Sequence, residues 1–385
     1  MTNLSPRERV NQSLNHEEPD RVPNDFGGTI VSSIHREAYR ELTDHLKLDP
    51  GDMNLVDQVQ QLPGLSKDFR DYFEVDFVQL SANPAGDWDL EITENEDSYT
   101  YVDEWGTTMR MPKRVGHYFD YWKFPVTGDI DELKSYEWPD PDDSARTEGL
   151  REKAQDLRSE KEYAICGSPL FGGGILEQAE RIIGLSEFLT LLLRDSEAAE
   201  YILDRLTEIY SRAAKNFLEE AGDIIDVVLY WDDVGSQSSL LISPDTYRKT
   251  IKPRQAELFK TIKSHTDAKL FYHTDGAIRR LIPDLIEIGV DILQPVQVNS
   301  DGMGDTASLK RDYGDDIVFW GASCDSQKVL PYGTPRDVRK ETKRRINDLK
   351  EGGGYVFSPI HNIQPGVPPE NIEAMYETFF ELRDY

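Results

Sequence analysis

From Ala164 onward the chain alternates short apolar runs with longer amphipathic stretches. The runs are "AICGSPL" (164–170), "IIDVVLYWDDVG" (224–235), "AKLFYHTDG" (268–276), "VDILQPVQ" (290–297), "IVFWGAS" (317–323) and "GYVFSPIHN" (354–362). Each is too short for a helix and ends in turn-forming residues, which predicts strands. The intervening segments repeat apolar residues at helical spacing, and Ser243 followed by Pro244 has the form of a cap and first turn. Strands apolar on successive residues need cover on both faces, so the pattern predicts a parallel sheet flanked by helices. At least five βα units follow Ala164, with polar residues at the strand ends. The expected fold is therefore α/β, a single TIM-like (β/α)8 barrel.

The first 160 residues are less regular. A helix is predicted over 32–46 and a strand entry over 72–81. The segment "WDLEITENEDSYTYVDEWGTTMRMP" (88–112) alternates as an antiparallel hairpin or small sheet does. The expected layout is one barrel domain over 1–385, with an elaborated N-terminal part over 1–160 and regular repeats over 161–385.

Composition narrows the partners. Seventy-two acids against 43 bases give a formal charge of -29, a field that opposes nucleic-acid phosphates and anionic membranes. No run approaches the 18 or so apolar residues of a membrane span. The amino-terminal residues lack the apolar core of a secretory signal, and two cysteines cannot build a disulfide framework, so a cytoplasmic protein is expected.

Several strand ends carry candidate chemistry. His273 and Asp275 stand two residues apart, where an extended chain points both side chains the same way. A catalytic zinc site takes three protein ligands, and His361, also just past a strand, is the best third donor. The same residues also suit hydrogen bonding or acid-base work without metal. Asp232 and Asp233 are adjacent, so one is expected to face the cavity as a general acid or base while the other caps a turn. Cys324 is a candidate ligand, nucleophile or plain buried thiol, whereas Cys166 reads as core. Tyr230, Trp231, Tyr272, Gln294, Gln297 and Asn299 are candidate substrate contacts. Trp88, Trp105, Tyr118, Tyr121 and Trp122 are candidate aromatic walls. "FGGG" (171–174) lacks the spacing of a phosphate-binding loop.

The segments "SPRERVNQSLNHEEPDRVPNDFGG", "DDVGSQSSLLISPDTYRKTIKPR", "FYHTDGAIRRLIPDLIEIGVDILQPVQ" and "LPYGTPRDVRKETKRRINDLKEGGGYVFSPIHNIQPGVPPENIEAMYE" resemble the uroporphyrinogen decarboxylase superfamily, in its branch related to corrinoid-dependent methyltransferases. The resemblance runs over nearly the whole chain and implies a single α/β barrel. The arginine-rich amino-terminal run that porphyrinogen decarboxylases use on substrate carboxylates is absent from the matching "PNDFGGTIVSSIHR".

The methyltransferases of the superfamily hold zinc with a histidine, a cysteine two residues later and a distant cysteine. The matching positions here are His273, Asp275 and His361, a harder set suited to activating an oxygen. The resemblance thus implies methyl transfer from a small methoxylated or methylated compound to a corrinoid carried by a partner protein, with zinc as Lewis acid. Its rivals are a cofactor-free decarboxylase of a non-porphyrinogen carboxylate, with His361 or a neutral Asp233 as proton donor, and a non-catalytic corrinoid or small-ligand binding protein. A homodimer is expected from the resemblance alone.

Overall fold

The computed structural model describes residues 4–194 and 196–385. Seven parallel strands form one curled sheet: β1 (Phe77–Ser81), β2 (Ala164–Ser168), β3 (Val227–Trp231), β4 (Lys269–His273), β5 (Ile292–Gln294), β6 (Val318–Ala322) and β7 (Tyr355–Ser358). Each pairs with its neighbour in chain order, so the sheet is wound in one direction. The apolar runs of the sequence are these strands, and they are buried on both faces as their composition demands.

The sequence predicts eight strands; seven are regular. Between the two edges runs the extended segment 23–25. The Asp25 N–H donates to the Phe357 carbonyl at 2.8 Å, the Phe357 N–H donates to the Pro23 carbonyl at 2.9 Å, and the Asp76 N–H donates to the Asn24 carbonyl at 2.9 Å. Pro23 lacks an N–H, which keeps this segment a short bridge instead of a ladder.

The segment 173–223, whose apolar residues recur at helical spacing, contains the helices Ile175–Ile183, Leu185–Leu193 and Glu197–Ala221. The first break falls at Gly184, whose φ of 91° no helix accommodates. The 88–112 segment contributes to a four-stranded antiparallel sheet of 93–94, 98–102, 108–112 and 120–123, beside the mouth of the curled sheet. Among the described residues no helix is long and apolar enough to cross a membrane.

Candidate functional site

Strand alternation decides what reaches the interior. Val227, Leu229 and Trp231 of β3 pack inside the curled sheet with Phe271 and Ile292, while Val228 and Tyr230 pack outward against the helices. His273 is in register with Trp231 on one side and Gln294 on the other, so all three share the inner face. Asp275 lies two residues beyond β4, and His361 lies just beyond β7.

One ligand atom from each of His273, Asp275 and His361 lies within 4.8 Å of the other two, and the imidazole centroids are 5.6 Å apart. The residues fit a divalent ion in three further respects. Asp275 Oδ1 is buried with no hydrogen-bond partner. His273 bonds through Nδ1 to Gln294 Oε1, and Gln294 Nε2 donates to the Ile360 carbonyl at 3.2 Å, which leaves His273 Nε2 as the free ligand atom. Burial lowers the pKa of His361, opposed by Asp275, and so favours the neutral ring that a metal requires.

This cluster stands at the floor of a cavity of about 450 Å³, within the size range of small-molecule sites. Trp231, Asp233, His273 and His361 come to it from the strand ends; Asp57, Trp88, Tyr101, Asp103 and Trp105 come from the N-terminal part. Asp233 Oδ1 accepts the Asp275 N–H at 2.7 Å. Burial, reinforced by the Asp275 charge, pushes the Asp233 carboxyl upward toward its protonated form.

Asp232 points the other way, as adjacency in an extended chain requires. Its Oδ1 accepts the Glu177 N–H at 2.8 Å; its Oδ2 accepts the Leu176 N–H at 3.1 Å, the Tyr230 hydroxyl at 2.6 Å and Gln255 Nε2 at 2.8 Å. It therefore anchors the start of helix Ile175–Ile183 and lies outside the cavity lining, the capping role expected of one of the two acids, so of the catalytic candidates Asp232 and Asp233 only Asp233 reaches the cavity. Burial raises its pKa to about 6, against these hydrogen bonds.

Other expected contacts are also placed elsewhere. Tyr230 and Tyr272 precede the inward Trp231 and His273 by one residue, so they face the helices and pack on Phe259. Gln294 braces His273. Gln297 Oε1 accepts the Gly276 N–H at 2.5 Å, and Asn299 Nδ2 donates to Gln237 at 3.2 Å. Cys324 is buried in the helix-side core, where burial raises its thiol pKa, and it lies outside the cavity. Trp88 and Trp105 line the cavity as expected; Tyr118 and Tyr121 line an adjoining hollow of about 260 Å³ with His361. Trp122 is exposed, with the Arg110 guanidinium 4.2 Å from its ring.

Sequence reading missed Glu177 and Arg181, an ion pair one turn apart on helix Ile175–Ile183 that lines the cavity. Such spacing ordinarily marks a solvent-facing pair. Asp57, Tyr101 and Asp103 were missed as well, because nothing in their local pattern reports which loop folds over the mouth.

The family model described as "Uroporphyrinogen decarboxylase (URO-D)" matches residues 96–382. A uroporphyrinogen decarboxylase of Alkalilimnicola ehrlichii is 25% identical over 305 residues, 74% of either chain. One from Koribacter versatilis is 21% identical over 214 residues, 55% of this chain and only 56% of that protein. In fold the chain is similar to a methyltransferase from Methanosarcina mazei, with a TM-score of 0.64, 17% identity, and coverage of 98% of this chain and 99% of that one. With three quarters of its length matched by that model, the chain belongs to the uroporphyrinogen decarboxylase family.

Proposed function

We propose that the protein is a decarboxylase of a small carboxylate other than a porphyrinogen. The observation that carries this reading is the charge of the cavity: among the described residues Arg181 is the sole guanidinium in its lining, against Asp57, Asp103, Glu104, Glu177 and Asp233. A polycarboxylated tetrapyrrole would meet repulsion there, whereas a single carboxylate can share the one guanidinium with Glu177. Arg181 keeps a buried Nε without a hydrogen-bond partner after pairing with Glu177, which leaves it a donor for an incoming carboxylate.

In this reading Arg181 orients the substrate carboxylate, and Trp231 forms a wall that excludes water. Cleavage of the carbon–carboxylate bond releases carbon dioxide and leaves the electron pair on carbon. Asp233, held toward its neutral form, donates the proton that quenches that carbanion and is reprotonated from solvent; His361 is the second candidate donor. The hydrogen bonds of residues 23–25 to both edges of the sheet support a (β/α)8-type barrel with an abbreviated first strand, spanning one unit over the whole chain.

The His273, Asp275 and His361 cluster favours a second reading, transfer of a methyl group from a small methylated or methoxylated donor to a corrinoid on a partner protein. A divalent metal there, zinc by the chemistry of the donor set, would supply Lewis acidity toward a departing heteroatom. Gln294 would orient the His273 ring, and Asp275 would supply the negative ligand.

The two readings separate in one experiment. A panel of small carboxylates and of methylated or methoxylated donors is incubated with chelator-treated and zinc-supplemented protein in D2O, with and without a corrinoid acceptor, and bicarbonate release, deuterium at the product carbon and corrinoid methylation are followed by NMR. Decarboxylation in the chelated sample is expected. Turnover only with zinc and a corrinoid acceptor, with no bicarbonate formed, would replace the first reading by the second.

A further inference from the structure

We infer that the roof of the cavity recognises a small alkylated ammonium group, so that the substrate carries a cation beside its carboxylate. The inference rests on the decarboxylase reading for the carboxylate but on different residues for the cation.

The cavity has two chemically distinct parts. The floor holds the histidines, and the roof is built by the N-terminal part from Asp57, Trp88, Tyr101, Asp103 and Trp105. Two of the carboxylates around it already have cationic partners: Glu104 pairs with Arg146 at 2.7 Å and Glu177 with Arg181. Asp57 and Asp103 do not. Asp57 Oδ1 accepts the Gln60 N–H at 2.6 Å, and Asp103 Oδ1 accepts the N–H groups of Trp105 at 3.0 Å and Thr107 at 2.8 Å. No Lys or Arg lies within ion-pair distance of either among the described residues. Neither belongs to the His273, Asp275 and His361 cluster, so an ion bound on the floor leaves the two roof carboxylates with only the more distant charge of Arg181, which is already paired with Glu177.

The missing partner is a positive charge, and the walls say which kind. Indole and phenol rings attract cations through their faces but offer few acceptors to replace a hydration shell. A compact, strongly hydrated ion loses more on entering than these rings return. An alkylated ammonium spreads its charge over methyl groups and sheds water cheaply, so aromatic walls and nearby carboxylates suit it. Burial raises the pKa of both Asp57 and Asp103, and the nearby Arg181 charge offsets it only in part. In decarboxylation, a cationic nitrogen next to the reacting carbon would also stabilise the electron pair left behind when carbon dioxide departs.

Calorimetric titration of the full chain with three probes of like shape tests this: choline, its uncharged isostere 3,3-dimethyl-1-butanol, and 3,3-dimethylbutanoate. Choline is expected to bind about tenfold or more tighter than the alcohol, a ratio equivalent to about 1.4 kcal/mol. Asp57→Asn and Trp88→Leu should each shrink that ratio. Equal affinity for choline and the alcohol, or no choline binding by the folded wild-type protein, would overturn the inference. The butanoate reports separately on the anchoring carboxylate: if choline binds but the anion does not, the cation site stands and the Arg181 role fails.

Discussion

Gln294 looks like a substrate contact in the sequence, yet its side chain is spent on holding His273 through Nδ1 and the Ile360 carbonyl. Removing it frees the imidazole to rotate. Gln294→Ala should therefore weaken zinc binding by roughly 10–100-fold while the protein stays folded, measured by competition with a chromophoric chelator. Asp25 shows a different consequence of burial. Fully buried, it is pushed up to about 6 by desolvation, although Ser32, Trp320, Thr29 and the Gly28 N–H all donate to it. Its folded pKa lies above its unfolded value of 3.8, so its stabilising contribution is complete below about pH 4 and is lost as pH rises through 6. Asp25→Asn removes that titration. Relative to wild type, the variant should gain about 3 kcal/mol between pH 4 and pH 7, read from urea midpoints at each pH.

Among the elements, helix Ile175–Ile183 brings the ion pair of Glu177 and Arg181 to the cavity. Its start is seated on the end of β3 through Asp232, and the seat depends on Gly174. A Cβ at that position would come within 2.4 Å of the Trp231 carbonyl and 2.5 Å of the Asp232 side chain. Because part of that obstacle is backbone, the clash cannot be relieved by a rotamer change. Gly174→Ala is expected to cost roughly 1–3 kcal/mol in denaturant unfolding, as overpacking does. Tyr230 and Tyr272, candidate substrate contacts by sequence, stay out of the pocket lining because strand alternation turns each away from the inward-facing residue it adjoins.

Across the whole molecule, 72 acids and 43 bases leave a charge of -29. The ion pairs of the structure neutralise part of it, but many, such as Lys134 with Glu197 and Arg212 with Asp142, are exposed and contribute little. Mutual repulsion of the excess acids is the larger long-range effect and is screened by salt. The melting temperature should rise as sodium chloride increases from about 0.01 to 1 M, over which the Debye length falls from about 30 to 3 Å. A flat or falling profile by scanning calorimetry would mean that local pairs outweigh net repulsion.

The sequence by itself determined the strands after Ala164, the helices between them and the pairing of His273 with Asp275, because periodicity and i, i+2 geometry are local properties. Even the divergence of Asp232 and Asp233 follows from alternation. Only the tertiary structure decided that residues 23–25 would bridge the sheet edges, that an ordinary helical ion pair would face the cavity, and that Asp57 and Asp103 would roof it. Those outcomes depend on which distant surfaces pack together, and burial, not residue type, then sets the protonation and charge balance on which the proposed chemistry rests.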